Sequence, residues 1–262
     1  MRLTIVGSAG SVPGPDSPAS CYLLEADADG RTWRLVLDLG SGAIGPLQRY
    51  CDVVRLDAVL ISHGHPDHCA DLGALSVLRR YGPDRDAHLP RIALFGPPGI
   101  DNRIREISGD TGPDPTYDDL TEFDFTALQH GARVSLGPFD IAVSRANHPV
   151  PALAYRIEGP SSYSGRAVLV FTGDTDRSPE VDSLTRDCDL LLGEAGWAHR
   201  LENPPGVHMN GEELGRLAAA SGASQVVVTH IASWVPPAET MAQVRHHVPQ
   251  ASHALPGQIY EV

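Results

Sequence analysis

Short apolar runs that alternate with amphipathic segments predict a layered domain of mixed strands and helices, α/β or α+β in class. The two halves, roughly 1–140 and 141–262, each carry strand runs followed by helical ones, which is compatible with two similar layers packed face to face. The chain has 262 residues and 42% hydrophobic content, with no low-complexity tail and no long linker, so a single domain over 1–262 is expected.

In chain order the strand candidates are residues 3–6, 21–25, 34–37, 58–61, 92–95, 141–146, 154–157, 167–172, 189–192 and 226–229. Many are Val/Leu/Ile runs of the kind that buried strands require, such as Ala58-Val59-Leu60-Ile61 and Val226-Val227-Val228-Thr229. The helix candidates are 67–81, 100–107, 179–185, 211–221 and 237–247. In 211–221 the apolar Leu214, Leu217 and Ala218 recur at i, i+3 and i+4, and Gly222 supplies a stop. Gly, Pro and Ser crowd 7–20, and similar punctuation at 82–84 and 109–115 marks loops.

The chemistry concentrates in Ser62-His63-Gly64-His65-Pro66-Asp67-His68, directly after the 58–61 strand. Imidazole and carboxylate are ligands for divalent metals such as zinc, manganese or iron. In extended backbone, residues two apart point the same way, so His63 and His65 can close on one ion. Asp67 and His68 follow as the chain turns and can face a second. A His-rich polar loop with no ligand role is the bland alternative, and the delivery of this spacing by an apolar strand argues against it. The motif does not fill two coordination shells. His148 after 141–146, Asp174 after 167–172 and His230 after 226–229 are the further candidates, each at a strand end, where α/β proteins gather functional groups. Any one of them alone would be read as a cap or loop residue; together with the cluster they point to ligands.

Composition sets limits on the substrate. The formal net charge is −13, and all 20 basic residues are arginine, with no lysine. Such a surface disfavours long polyanions, whose binding needs many phosphates neutralised, and favours a small substrate. No stretch approaches the length of a membrane span, and residues 1–7 read as a strand with no signal-peptide core, so a cytoplasmic location is expected. Cys21, Cys51, Cys69 and Cys188 form no C-x-x-C pair and are read as free thiols, with Cys69 outside the ligand set. His88, His130, His199, His246, His247 and His253 have no motif around them and are read as surface or loop residues.

Several of these pieces together resemble the metallo-β-lactamase superfamily, in the branch of ribonuclease Z and phosphodiesterases. They are the 62–68 motif, Asn147-His148-Pro149-Val150-Pro151-Ala152-Leu153-Ala154-Tyr155, Phe171-Thr172-Gly173-Asp174-Thr175 and Thr229-His230-Ile231. The resemblance implies an α+β fold, a four-layer αββα sandwich, with two divalent ions at one edge between the sheets. It implies His63, His65 and His148 on one ion, Asp67, His68 and His230 on the other, and Asp174 bridging both. Zinc is the expected metal, with manganese or iron as alternatives. Ions roughly 3.5–4 Å apart would share a bridging hydroxide as nucleophile and stabilise charge on the phosphoryl oxygens.

Two more residues join the site by resemblance. Leu191-Leu192-Gly193-Glu194-Ala195 is similar to the His-Glu-Ala-Thr segment of ribonuclease Z, with Gly193 in place of the His and Gly196 in place of the Thr. A solvent-exposed strand-end carboxylate is the other reading of Glu194. His208 matches a family histidine that precedes a helix; it is expected to contact the phosphate or protonate the leaving alkoxide, with Glu194 orienting it. A surface-loop histidine is its alternative. The expected catalytic residues are therefore Asp67, His208 and Glu194.

The chain departs from ribonuclease Z between His148 and Asp174. The usual bacterial enzymes place a Gly/Pro-rich tRNA-gripping arm there, whereas 149–173 here reads as a hairpin around 159–165. With no lysine and an acidic balance, tRNA 3′ processing is disfavoured. The segments 10–20, Leu78-Arg79-Arg80-Tyr81 and Glu194-Ala195-Gly196-Trp197-Ala198-His199 are instead similar to actinobacterial atypical class II cyclic-nucleotide phosphodiesterases. That implies a hydrolase converting 3′,5′-cyclic AMP, or another cyclic nucleotide, to the 5′-monophosphate. Alternatives are an acyl, lactone or thioester hydrolase of the same fold and a non-catalytic binding module. A homodimer is compatible with the resemblance. Trp197, Trp234 and Tyr81 are candidates for contacts or base stacking, with core packing the expected fate of each.

Overall fold

The computed structural model describes residues 1–85, 87–108, 121–198 and 203–262. The first half forms β1 (Arg2–Gly7), β2 (Ala9–Gly10), β3 (Cys21–Ala28), β4 (Arg31–Leu39), α1 (Ile44–Leu47), β5 (Ala58–Leu60), α2 (Pro66–Cys69), α3 (Leu72–Tyr81), β6 (Ile92–Gly96), α4 (Ile100–Ser108) and β7 (Phe123–Ala127). The second half forms β8 (Arg133–Leu136), β9 (Phe139–Arg145), β10 (Leu153–Pro160), β11 (Arg166–Phe171), α5 (Pro179–Leu184), β12 (Leu190–Glu194), α6 (Gly211–Ser221), β13 (Gln225–Thr229), β14 (Ile231–Ala232), α7 (Pro237–His247), β15 (Ser252–His253) and β16 (Ile259–Glu261).

Two seven-stranded sheets result, ordered β16-β1-β3-β4-β5-β6-β7 and β15-β13-β12-β11-β10-β9-β8. Alternating side chains of β1, β3 and β4 (Leu3, Ile5, Leu24, Leu35, Leu37) meet those of β9 to β12 (Ile141, Tyr155, Leu169, Leu192) in one buried core between the sheets. On the outer face of the first sheet Val36 and Val59 pack against Leu72 and Leu75 of α3 and Ile104 of α4. On the outer face of the second, Val170, Leu191 and Val226 pack against Leu214 and Leu217 of α6 and Val244 of α7. The fold is thus the four-layer αββα sandwich. β4, β5 and β6 run parallel in the first sheet, as do β11, β12 and β13 in the second. Among the described residues no helix is long and apolar enough to cross a membrane.

All ten expected strands form, with small shifts of their ends. The 67–81 helix divides into α2 and α3, because Asp71 between them turns its carboxylate back to accept from the Gly42 and Ile44 N–H groups. The edge strands β7, β8, β15 and β16 were not expected; β15 and β16 are too short to carry a period of their own. β16 returns the chain end to the first sheet beside β1, with Leu3 opposite Tyr260. The loop expected at 109–115 lies outside the described residues, as does His199. His247 and His253 are half-buried within α7 and β15 rather than in loops. Trp234 and Tyr81 are both 61% exposed and do not pack into the core, unlike the expectation; Trp197 is half-buried. Cys21, Cys69 and Cys188 are buried free thiols, and Cys51 is a half-buried one.

Candidate metal centre

After β5 the chain bends through Ser62 and Gly64 to His65, which precedes α2 in extended conformation at φ −71 and ψ 149. Pro66 at the first helical position lacks an N–H that the first turn would leave unpaired anyway. This single turn swings Asp67 and His68 into the buried space beneath His63. His148 follows β9, Asp174 follows β11, Glu194 ends β12 and His230 follows β13, so the second sheet delivers its residues from strand ends on the same edge. Gly173 makes the turn before Asp174 at φ +56; a Cβ there would lie 2.8 Å from Ser62 Cβ and 2.9 Å from the Leu153 carbonyl. Only glycine lets the two sheets approach this closely at the site.

The expected ligands converge. His63 Nε2 lies 2.9 Å from His65 Nδ1, which lies 3.2 Å from His148 Nε2. His230 Nε2 lies 3.1 Å from both His68 Nε2 and Asp67 Oδ2. Asp174 stands between the two groups: Oδ2 is 3.3 Å from His68 Nε2 and 3.7 Å from His63 Nε2, and Oδ1 is 3.3 Å from His230 Nε2. Ligands at about 2.0–2.1 Å around a tetrahedral ion stand about 3.3 Å apart, so these spacings are those of a coordination shell.

The donor chemistry fits cations. Asp38, Asp67, Asp174 and Glu194 are all buried, and among the described residues no arginine pairs with any of them. Buried charges are paired or coordinate metals. Among the described residues Asp174 Oδ1 accepts no well-formed hydrogen bond. Burial, followed by the like charge of His68, holds the His63 imidazole well below its ordinary range; burial also lowers His65 and His148. These three rings are therefore neutral and ligand-ready at pH 7. Burial opposes charge on His68 too, but the carboxylates of Asp174 and Asp38 outweigh it and raise that ring well above its usual range. Burial likewise opposes the charges of Asp67 and Asp174, and the surrounding imidazoles outweigh it and lower both.

A second ring of contacts orients the candidate ligands. His148 Nδ1–H donates to the Val207 carbonyl at 2.8 Å, and His68 Nδ1–H donates to Asp38 Oδ2 at 2.6 Å. The Ser62 hydroxyl donates to Asp38 at 2.8 Å and accepts from His63 Nδ1–H at 3.1 Å. Each bond places the proton on one nitrogen and frees the other for an ion. Asp38 was missed from sequence. Its signal was a lone acid inside Leu35-Val36-Leu37-Asp38-Leu39, and it adopts φ +55.

Glu194 is 1% exposed, not the solvent-facing carboxylate of its alternative reading. It accepts from the N–H groups of Thr175, Gly196 and Met209, and from His208 Nδ1–H at 3.1 Å. His208 Nδ1 lies 3.8 Å from Asp174 Oδ2, at the rim of the ligand set. Burial opposes charge on His208, but Glu194 and then Asp174 raise it to about 9. The structure thus gathers all nine residues singled out from the sequence.

Fold and site together define a metallo-hydrolase of the metallo-β-lactamase type. The chain belongs to that superfamily: the family profile described as "Beta-lactamase superfamily domain" matches residues 34–231. An uncharacterized protein of Mycobacterium tuberculosis is 36% identical over 256 residues, covering 97% of this chain and 89% of its own. The probable metallo-hydrolase YhfI of Bacillus subtilis is 28% identical over 231 residues, 88% of this chain and 87% of that protein. Its crystal structure superposes with a TM-score of 0.81 at 26% identity, covering 100% of this chain and 98% of YhfI. A diphosphatase of the PhnP family shares the fold, with a TM-score of 0.76 at 17% identity over 100% of this chain and 97% of that one.

Proposed function

We propose that this hydrolase is a dinuclear phosphodiesterase acting on a small phosphodiester, foremost 3′,5′-cyclic AMP or another cyclic nucleotide, which it opens to the 5′-monophosphate. The observation that carries the reading is the meeting of two donor groups at Asp174, with His208 held at their rim. His63, His65 and His148 would hold one ion, Asp67, His68 and His230 the other, and Asp174 both. Zinc, manganese or iron so placed supply an acidified water and neutralise charge on phosphoryl oxygens. Glu194 engages Nδ1 of His208, which leaves Nε2 as the nitrogen that can hand a proton to a leaving alkoxide.

A small substrate is supported by the interval 149–173. β10 and β11 pair directly from Tyr155–Phe171 to Pro160–Arg166, with no arm to grip a folded RNA. The net charge of −13 points the same way. The test is elemental analysis followed by a panel of cyclic AMP, cyclic GMP, bis-(p-nitrophenyl) phosphate, nitrocefin, an acyl thioester and a tRNA precursor with each metal. Two ions per chain and cyclic-nucleotide turnover abolished by His65→Ala and by Asp174→Ala are expected. Full activity in those variants, or turnover of acyl substrates alone, refutes the reading.

A further inference from the structure

A cavity of about 230 Å³ opens beside His65, between the turn that joins β6 to α4 and the loop that follows His148. Its apolar walls are Pro97, Pro98, Ile100, Val150 and Pro151. Gly64 borders it on the side of the ligand motif, and among the described residues a Cβ there would meet only Ile100 Cδ1, at 3.8 Å. Besides His65, three polar side chains border it: Asn102, Arg103 and Glu106. Arg103 Nη1 pairs with Glu106 at 2.9 Å and Arg103 Nε donates to the Gly64 carbonyl at 3.2 Å. The Asn102 amide is exposed, with no partner among the described residues. On the far flank of His148 the character reverses: a cavity of about 460 Å³ is bordered by Arg145, Asn147, Arg177 and Ser178. The loop bearing His148 therefore divides an apolar pocket from a polar one.

We propose that the apolar cavity is a base subsite, which takes the adenine ring of a nucleotide whose phosphate lies at the His63, His65 and His148 group. This rests on the phosphodiesterase reading above and adds to it which side of the site holds the base and which base is preferred. At about 230 Å³, below the roughly 300 Å³ where drug-sized pockets begin, the cavity has room for one heterocycle. Proline rings and Val150 offer faces for a planar ring to lie against. A neutral amide presents a donor and an acceptor side by side, the match for adenine N6 and N7. Guanine O6 and N7 call for two donors side by side, and Arg103 already directs Nε to the Gly64 carbonyl and Nη1 to Glu106.

The test is direct binding, by titration calorimetry, of adenosine, guanosine and ribose 5-phosphate to the wild type, Val150→Phe and Asn102→Ala, each with and without added metal. Adenosine is expected to bind more tightly than guanosine in both states. Val150→Phe should weaken adenosine at least tenfold and leave ribose 5-phosphate unaffected. Asn102→Ala, at an exposed position that the fold does not need, should cut the adenosine preference by roughly fivefold or more. Unchanged adenosine binding in both variants overturns the subsite. Cyclic AMP turnover run in parallel separates the two readings. Adenosine binding lost in the variants, in an enzyme that turns over no phosphodiester of the panel, supports the subsite and refutes the phosphodiesterase assignment. Cyclic AMP turnover with an unchanged KM in both variants refutes the subsite alone.

Discussion

Replacing Asp38 by Asn keeps the side chain's shape and removes its charge, at a position that is 0% exposed. Asp38 accepts three bonds: from Ser62 N–H at 2.6 Å, from the Ser62 hydroxyl at 2.8 Å and from His68 Nδ1–H at 2.6 Å. An amide offers one accepting oxygen, and its NH₂ must then face a donor. If it faces His68, the ring has to accept at Nδ1 and carry its proton on Nε2. That is the atom 3.3 Å from Asp67 and Asp174 and 3.1 Å from His230, where an ion needs a lone pair. If it faces the serine, a buried donor goes unpaired at a cost of about 1–3 kcal/mol. Loss of such a partner lowers the metal affinity of a ligating histidine by roughly 10- to 100-fold, which is about 1.4–2.8 kcal/mol. Competition for zinc against a chromophoric chelator reads this directly. Asp38→Asn should show one ion weakened within that range, with the ion at His63, His65 and His148 weakened less. Wild-type affinity for both ions would show that the bond to Asp38 does not set the His68 tautomer, and the argument would fail.

Gly173→Ala should destabilise the metal-free protein by about 1–3 kcal/mol, because it combines a left-handed backbone with a Cβ 2.8 Å from that of Ser62; an unchanged denaturant midpoint would show the turn to be pliable. His208→Asn should keep full metal content and lose about 10²- to 10⁴-fold in kcat on the best phosphodiester; an unaltered kcat removes His208 from proton transfer. Asn210→Ala breaks the capping box in which Asn210 and Glu213 exchange bonds of 3.0 and 2.9 Å at the start of α6. A loss of about 1 kcal/mol in equilibrium unfolding is expected, and no loss would mean that water replaces the cap.

The candidate ligands were legible in sequence because each sits at a boundary that local pattern reveals. An apolar run such as Ala58-Val59-Leu60-Ile61 marks a buried strand, and a His or Asp just past its end has nowhere to point but the sheet edge. The same logic places His148, Asp174 and His230. Glu194 and His208 lacked this clarity, because the burial of Glu194 depends on N–H groups of Thr175 and Met209 that only the folded chain brings near. Asp38 is the clearest case of what pattern cannot reach. Its partner His68 is 30 residues away, and nothing local joins them. What joins them is register: β4 runs parallel to β5 with Leu37 beside Leu60, which sets Asp38 against the chain just as it leaves the sheet toward the ligand motif. The Ser62 N–H then closes on Asp38, and His68 comes down onto the same carboxylate one helical turn later. A one-residue slip of that register would turn Asp38 to the opposite face of the sheet. The pairing of two apolar strands, legible only as hydrophobic runs, is therefore what decides the tautomer of a candidate ligand at the centre of the site.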